Sequence, residues 1–256
     1  MEHIIKIDKY RCIGCKQCIN DCPTANIELQ AQKAHILDQH CIHCGHCVAI
    51  CPKLAVTMTG YDNEPIELEN PATLSPNDLL MMIRASRSIR FFKNQSVDKS
   101  VLQQIIEAGK FSATGSNAQD VSYLVLQDKI NMVEEKAIRF FRRILPIAKL
   151  FSTSAKRVDI DDHFLFKKAP LVLIVMAKST TNGMIATTHM ALMAEALGLG
   201  VLYSGFFTTV AKYSFAVRKA LGIKHNDRVV ATLVLGYPNV KYHRTTQKEA
   251  VEITVL

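Results

Sequence analysis

The chain of 256 residues has no tryptophan, no cysteine outside two short runs and no long uninterrupted apolar stretch. Its longest apolar run, Leu171 to Ala177, falls far short of the roughly 18 residues that a membrane-spanning helix needs. The opening MEHIIKIDKY lacks the continuous apolar segment of a signal peptide, so a soluble cytoplasmic protein is expected, with no membrane partner. No G-x-G-x-x-G follows an apolar run; GLGVLYSG at Gly198 misses the spacing, which argues against a Rossmann dinucleotide site. An arginine-rich arm and basic–aromatic interleaving are also missing, so no nucleic acid is expected as a partner despite a formal charge of +8.

What is there is concentrated. All 8 cysteines fall in CIGCKQCINDCP, from Cys12, and CIHCGHCVAICP, from Cys41. Both runs have the spacing C-x2-C-x2-C-x3-C-P. Three closely spaced thiolates wrap one corner set of an iron–sulfur cubane, while the fourth, carried away by the following turn, ligates the other cluster. That rule assigns Cys12, Cys15, Cys18 and Cys51 to one [4Fe-4S] cluster and Cys41, Cys44, Cys47 and Cys22 to a second. Pro23 and Pro52 stop any helix after the last ligand, and each is followed by a short alternating segment, NIEL or AVTM. IIKID before one run and AHILD before the other complete a pseudo-twofold duplication.

Disulfides fit poorly, since nothing points to export. Zinc favours paired C-x2-C knuckles separated by a long loop, which would leave cysteines surplus. Residues 1–59 resemble bacterial two-cluster ferredoxins. His40, His43 and His46 interleave the second run only, either as solvent-facing loop residues or as groups whose hydrogen bonds tune that cluster.

From Gly60 to Pro76 the chain carries three prolines, four acidic residues and no lysine or arginine, which reads as a stiff acidic linker over 60–76. It ends in SPND, where Ser75 is placed to cap a helix that Pro76 begins. The second domain, 77–256, is expected to be α+β. Helical periodicity marks about 76–86, 99–110, 130–144, 184–198 and 209–221; apolar β-branched runs mark strands near 121–127, 170–177, 200–205 and 228–236.

Three pieces of this domain carry chemistry. SRSIRFF groups Arg87, Ser88 and Arg90, two guanidinium forks and a hydroxyl suited to a phosphate or an electron-rich ring edge. SATGSNAQ is a small polar loop in which Gly115 allows close approach and Asn117 and Gln119 offer amides. GYPNVKYHR ends a strand and supplies Lys241 and Arg244. In this order, the pieces are similar to those of the FMN-dependent nitroreductase family, over about residues 77–245.

The resemblance implies a central sheet flanked by helices, bound FMN and a homodimer with the flavin at the subunit interface. It implies that Arg87 and Ser88 hold the phosphate and ribityl chain and that Arg90 approaches the pyrimidine edge of the ring. Thr114, Gly115 and Asn117 would come from the partner subunit, Ser204 and Gly205 would place backbone amides near the flavin N5, and Lys241 with Arg244 would clamp the phosphate. Two departures stand out: Ser86 where many relatives have a basic residue, and Asp120-Val121 where they have Pro-Trp. No catalytic acid or base stands out. VEITVL at the C-terminus alternates like a strand and, by the same resemblance, is expected to cross the dimer. Bound clusters and FMN, together about −6, would offset most of the positive charge.

The combination predicts an FMN-dependent oxidoreductase that passes electrons from two [4Fe-4S] clusters to flavin and then reduces a small acceptor, a nitroaromatic, quinone or activated alkene, by hydride transfer. Two alternatives remain at this stage. One is an NAD(P)H-oxidising flavoprotein that exports electrons through the clusters. The other is a non-catalytic electron-transfer subunit or redox sensor that docks a carrier such as ferredoxin.

Overall fold

The computed structural model describes residues 3–37, 39–68, 73–151 and 159–256, without the side chains of 147–151. Part of the expected linker, residues 69–72, lies outside the described residues. The chain divides into two units, Met1–Thr73 with Gly115–Ala118, and Leu74–Thr114 with Gln119–Leu256.

In the first unit β1 (Ile5–Ile7) pairs antiparallel with β4 (Val56–Met58), and β2 (Ile27–Gln30) with β3 (Lys33–Ile36). Two short helices, α1 (Gln17–Asn20) and α2 (His46–Ala49), follow the first ligands of each cysteine run. The duplication extends to the backbone. Positive φ recurs at Gly14 and His43, at Lys16 and Gly45, and at Ala25 and Leu54, the same places in the two runs. The bond from Asp8 N to the Ala55 carbonyl (2.8 Å) is mirrored by Leu37 N to the Asn26 carbonyl (3.0 Å). Gly14 is the tight member: φ is +66° and an added Cβ would lie 2.3 Å from the Gln32 carbonyl oxygen. Ile27, Ala34, Ala55 and Val56 form the core, with Cys12, Cys18 and Cys47 buried among them.

The second unit contains α3 (Pro76–Ala85), α4 (Lys99–Lys110), β5 (Val121–Leu126), α5 (Ile130–Phe151), β6 (Leu171–Ala177), α6 (Thr180–Ala196), β7 (Gly200–Tyr203), α7 (Gly205–Tyr213), α8 (Phe215–Leu221) and β8 (Val229–Gly236). Its antiparallel sheet has the order β5-β6-β8-β7. The two inner strands read LVLIVMA and VVATLVLG because both of their faces are covered. Alternation sends Leu171, Leu173 and Val175 to one face, against Leu102 and Ile105 of α4 and Met190 of α6. Val172 and Ile174 go to the other, against Val133 and Ala137 of α5 and Phe207 and Val210 of α7. Each such fully buried side chain contributes about 1.5–3 kcal/mol. Among the described residues no helix is long and apolar enough to cross a membrane.

Several boundaries differ from expectation. The helix expected over 130–144 continues through Pro146 to Phe151. The helix expected to begin at 184 begins at Thr180, because the Ser179 side chain accepts a hydrogen bond from Asn182 N and caps it. The single helix expected over 209–221 is two helices, broken at Ser214, whose hydroxyl caps the second by accepting from Val217 N. The first of the pair starts at Gly205, so the strand expected over 200–205 stops at Tyr203. The aromatic and β-branched residues of GFFTTV mask this helical turn, since both types favour strands by local propensity.

Candidate functional site

The first unit holds two cavities. One is lined by Cys12, Cys15, Cys18 and Cys51. The other is lined by Cys22, Cys41, Cys44 and Cys47. The eight cysteines are free thiols. Backbone amides point at four of the sulfurs: Ala34 N at Cys12 (3.4 Å), Asn26 N at Cys22 (3.3 Å), His43 N at Cys41 (3.4 Å) and Ala55 N at Cys51 (3.3 Å). Asn26 and Ala55 occupy equivalent positions of the repeat.

Such donors favour thiolate. Burial pushes the Cys12 thiol up, but the amides of Ala34 and Gly14 and the ammonium groups of Lys33 and Lys9 outweigh it, so the thiol sits below its ordinary value. Cys22 is likewise lowered, with burial outweighed by the amides of Asn26 and Thr24. At the deepest positions the balance reverses. Burial, then repulsion from Cys51, Cys12 and Cys15, raises Cys18; burial and Cys44 push Cys47 up to about 11.

A cavity in which the neighbouring thiols hold back the ionisation of the deepest one calls for a cationic centre. Among the described residues, no three His, Cys, Asp or Glu groups converge as a single metal ion requires. A cubane instead spreads its thiolates over four separate irons around a body that needs space. Cysteines lining a cavity, with amides aimed at their sulfurs, fit that group.

Asn26 is a residue that sequence reasoning missed. It is buried, and its side-chain oxygen accepts from Gln39 N (3.1 Å) and His40 N (3.3 Å), fixing the approach to Cys41. The available signal was asymmetry within the repeat, because Asn26 stands where the second copy has Ala55.

In the second unit the fold brings three of the sequence motifs together. Ser88 bridges Val201, and Ile89 N donates to the Val201 carbonyl (2.9 Å), laying SRSIRFF beside β7. Lys93 N to the Tyr237 carbonyl (2.8 Å) and Asn239 N to the Phe91 carbonyl (2.8 Å) lay its other end beside GYPN. Ile89 is buried against Gly200, whose place has no room for a side chain: an added Cβ would lie 2.7 Å from Ile89 Cγ1. Extended backbone alternation then turns Ser88 and Arg90 outward. Arg87 donates to the Ser86 carbonyl and, from Nη2, to Thr246 Oγ1 at 2.6 Å. Arg90 Nη1 donates to the Ser88 carbonyl at 3.3 Å. Lys241 and Arg244 are exposed on the irregular segment that reaches Thr246.

Ser204 is buried, and both of its donors are engaged: N–H with the Thr232 carbonyl (2.9 Å) and Oγ with the Leu165 carbonyl (3.0 Å). It leads into α7 without a side-chain cap, and an added Cβ on Gly205 would meet nothing within 4 Å. The first turn of α7 therefore has no side-chain cap at its positive end. A second residue missed from sequence, Glu134, supports this corner. Its buried Oε1 accepts from Leu165 N (3.0 Å) and Phe166 N (2.7 Å), fixing the turn whose carbonyl holds Ser204. Burial raises its carboxyl above the usual range.

The loop SATGSNAQ behaves differently. Thr114 Oγ1 accepts from Gln119 N at 3.1 Å, closing the loop. Ser116, Asn117 and Gln119 all have positive φ, and such a cluster of non-glycine residues marks a strained turn of the kind found at ligand sites. Gly115–Ala118 groups with the first unit, where Asn117 Nδ2 donates to the carbonyls of Ile42 (3.0 Å) and His43 (2.8 Å) in the second cysteine run.

Comparison with known proteins finds a family model for each part of the chain, with the loop 115–118 falling in the second. The family model described as Nitroreductase family matches residues 83–237, and that of a 4Fe-4S dicluster domain matches residues 4–52. A protein of Archaeoglobus fulgidus named as an NADH dehydrogenase/NAD(P)H nitroreductase is 28% identical over 161 residues, 63% of this chain and 86% of its own. Among solved structures, a nitroreductase with bound FMN from Desulfitobacterium hafniense has a TM-score of 0.57 at 21% identity, covering 70% of this chain and 100% of that one. The FMN-bound nitroreductase of Bacteroides fragilis gives 0.56 at 21% identity, covering 70% and 99%. At that identity the structural likeness speaks for the fold.

Proposed function

The chain belongs to the nitroreductase family, and from that premise we propose that it is an FMN-dependent oxidoreductase that takes electrons through two [4Fe-4S] clusters to flavin and reduces a small acceptor. Nitroaromatics, quinones and activated alkenes are the acceptor classes. The observation that carries the reading is the sorting of the cysteines into two cavities, each lined by one crossed quartet, in a chain whose other unit has the nitroreductase fold. When bound, the clusters supply single-electron transfer and FMN supplies a two-electron store with hydride delivery from N5, which is why one chain would carry both.

The protein's own groups have distinct tasks in this reading. Cys12, Cys15, Cys18 and Cys51 hold one cluster, Cys22, Cys41, Cys44 and Cys47 the other, and the backbone amides aimed at the sulfurs favour the thiolate form. Arg87, Lys241 and Arg244 bind the phosphate, with Thr246 orienting Arg87. Ser88 holds the ribityl chain. Arg90 places positive charge at the pyrimidine edge, where reduction builds negative charge. Glu134, through Leu165 and Ser204, positions the uncapped start of α7.

A homodimer fits the exposed face of α3, which buries no residue yet presents Leu79, Leu80, Met81 and Ile83. Thr114, Gly115 and Asn117 of the partner subunit would complete each site. Exposed Val251, Ile253 and Val255 suit a C-terminal segment that crosses to the other subunit.

A second reading, in which NAD(P)H reduces the flavin and electrons leave through the clusters, is favoured by the name of the Archaeoglobus relative. One variant separates the two. Cys12→Ala is expected to abolish turnover fed through the clusters while sparing reduction of the acceptor by an artificial flavin donor. Loss of both activities would mean that the cluster domain is needed structurally, and rapid anaerobic flavin bleaching by NAD(P)H in the variant would favour the second reading.

A further inference from the structure

The two cavities of the first unit differ in their surroundings. Lys16 and Lys53 line the one with Cys12, Cys15, Cys18 and Cys51. Lys33 donates to the carbonyl of Cys12, and Lys9 Nζ donates to the carbonyl of Ala34, another lining residue, at 2.7 Å. Arg11 adjoins Cys12 in sequence. Against these cations stands Asp8, whose carboxylate is engaged by Arg11 (3.6 Å) and by the backbone N–H groups of Tyr10 and Arg11. Among the described residues, the other cavity has no lysine or arginine in its lining; His46 lies there, with its Nδ1 3.2 Å from Asp21 Oδ2.

Exposure differs in the same direction. Cys15 is the exposed cysteine among the eight; Ile13, which lines the same cavity, is 59% exposed, and Tyr10, two residues before Cys12 in sequence, is 99% exposed. An exposed apolar residue and two lysines in the lining of a cavity whose thiol Cys15 reaches the surface have the anatomy of a small transient interface: an apolar centre with a charged rim. Cationic rims speed and orient the encounter with an anionic partner while adding modest affinity, as repeated electron delivery requires.

We propose that this face, formed by Tyr10, Ile13, Lys16 and Lys53 over Cys15, docks a small acidic one-electron carrier protein of the ferredoxin or flavodoxin kind, so that electrons enter the chain at this cavity. The proposal rests on the conduit reading and adds the partner and the point of entry. In the step itself the reduced carrier loses one electron and the centre held by these cysteines gains one. No bond forms or breaks, and no proton moves.

The test is a binding measurement on the full, iron-loaded chain, with a small ferredoxin of strongly negative net charge as the probe, over a range of salt concentrations. Lys16→Glu with Lys53→Glu should weaken binding roughly tenfold at low salt and flatten its salt dependence. Lys212→Glu with Lys219→Glu in the second unit changes net charge equally and should leave most of the affinity. If the first pair loses iron, Lys16→Gly with Lys53→Gln replaces it: Lys16 has a φ of +65°, and the equivalent position in the second run is already Gly45. That pair should lose affinity in the same direction by a smaller factor. Unchanged affinity in the Lys16 and Lys53 variants, or an equal loss in the control pair, overturns the docking face. So does binding to phosphatidylserine vesicles without binding to the ferredoxin, which would make the face a membrane contact. Because binding is read without turnover, intact docking combined with no electron transfer to flavin would count against the conduit alone.

Discussion

Arg87 Nη2 donates to Thr246 Oγ1 at 2.6 Å, joining residues 159 positions apart and setting the guanidinium beside the segment that carries Lys241 and Arg244. A fork oriented from a second segment is pre-organised for a phosphate. Arg87→Ala should therefore weaken FMN binding by roughly 10- to 100-fold, the range expected for a charge-assisted hydrogen-bond pair. Arg87→Lys should recover part of it, because charge survives while the planar fork does not. Titration of the apoprotein with FMN, followed by flavin fluorescence, measures both; equal affinity for wild type and Arg87→Ala would remove Arg87 from the site.

Gly14 and His43 share a place in the repeat and a positive φ, yet only Gly14 has a carbonyl in the path of a Cβ. Gly14→Ala must move the Gln32 turn that backs the first run, and it should lower iron and acid-labile sulfide per chain. His43→Ala should leave both unchanged. Iron content and absorbance near the thiolate-to-iron band check the contrast.

The segment that carries Arg87 and Arg90 depends on a close approach. Gly200→Ala would drive a methyl group into Ile89, and overpacking of this kind costs about 1–3 kcal/mol. Thermal unfolding should show the loss. FMN affinity should fall with it, because Ile89 anchors the segment that carries Ser88 and Arg90. Ile89→Val in the same chain should rescue neither, because valine keeps Cβ, Cγ1 and Cγ2, the atoms in the path of the added methyl group.

The N-terminus of α6 carries a pH signature. The Asn182 amide is the largest influence on Asp120 and, with the Ser179 N–H and against a smaller effect of burial, holds its carboxyl below the usual range. A carboxyl lowered in the folded state contributes stability that is full above its unfolded pKa, near 3.9, and is lost as pH falls through the folded value. Asp120→Asn should therefore lower the melting temperature at neutral pH, and the gap to wild type should close in acid. A gap that is constant across pH, followed by circular dichroism, would contradict the assignment.

The legible parts of the sequence were those in which chemistry or periodicity is local. Spacing alone grouped the cysteines as the cavities do, and the LVLIVMA and VVATLVLG runs marked the inner strands. Residues whose partners lie far along the chain were not legible. Thr246 has no pattern of its own, and Glu134 reads as one more charge on an amphipathic helix until the fold sets the 165–166 turn against it. The start of α7 was hidden for a different reason: aromatic and β-branched residues look like a strand until tertiary packing of Phe207 and Val210 overrides their propensity.

If one chain joins iron–sulfur and flavin redox centres, anaerobic reductive titration of the fully loaded protein, followed by its visible spectrum, should count them together. About four electrons per chain are expected, one for each cluster and two for the flavin, with flavin bleaching included. About two electrons with no flavin signal would contradict that expectation, leaving a ferredoxin joined to a fold that does not use its site.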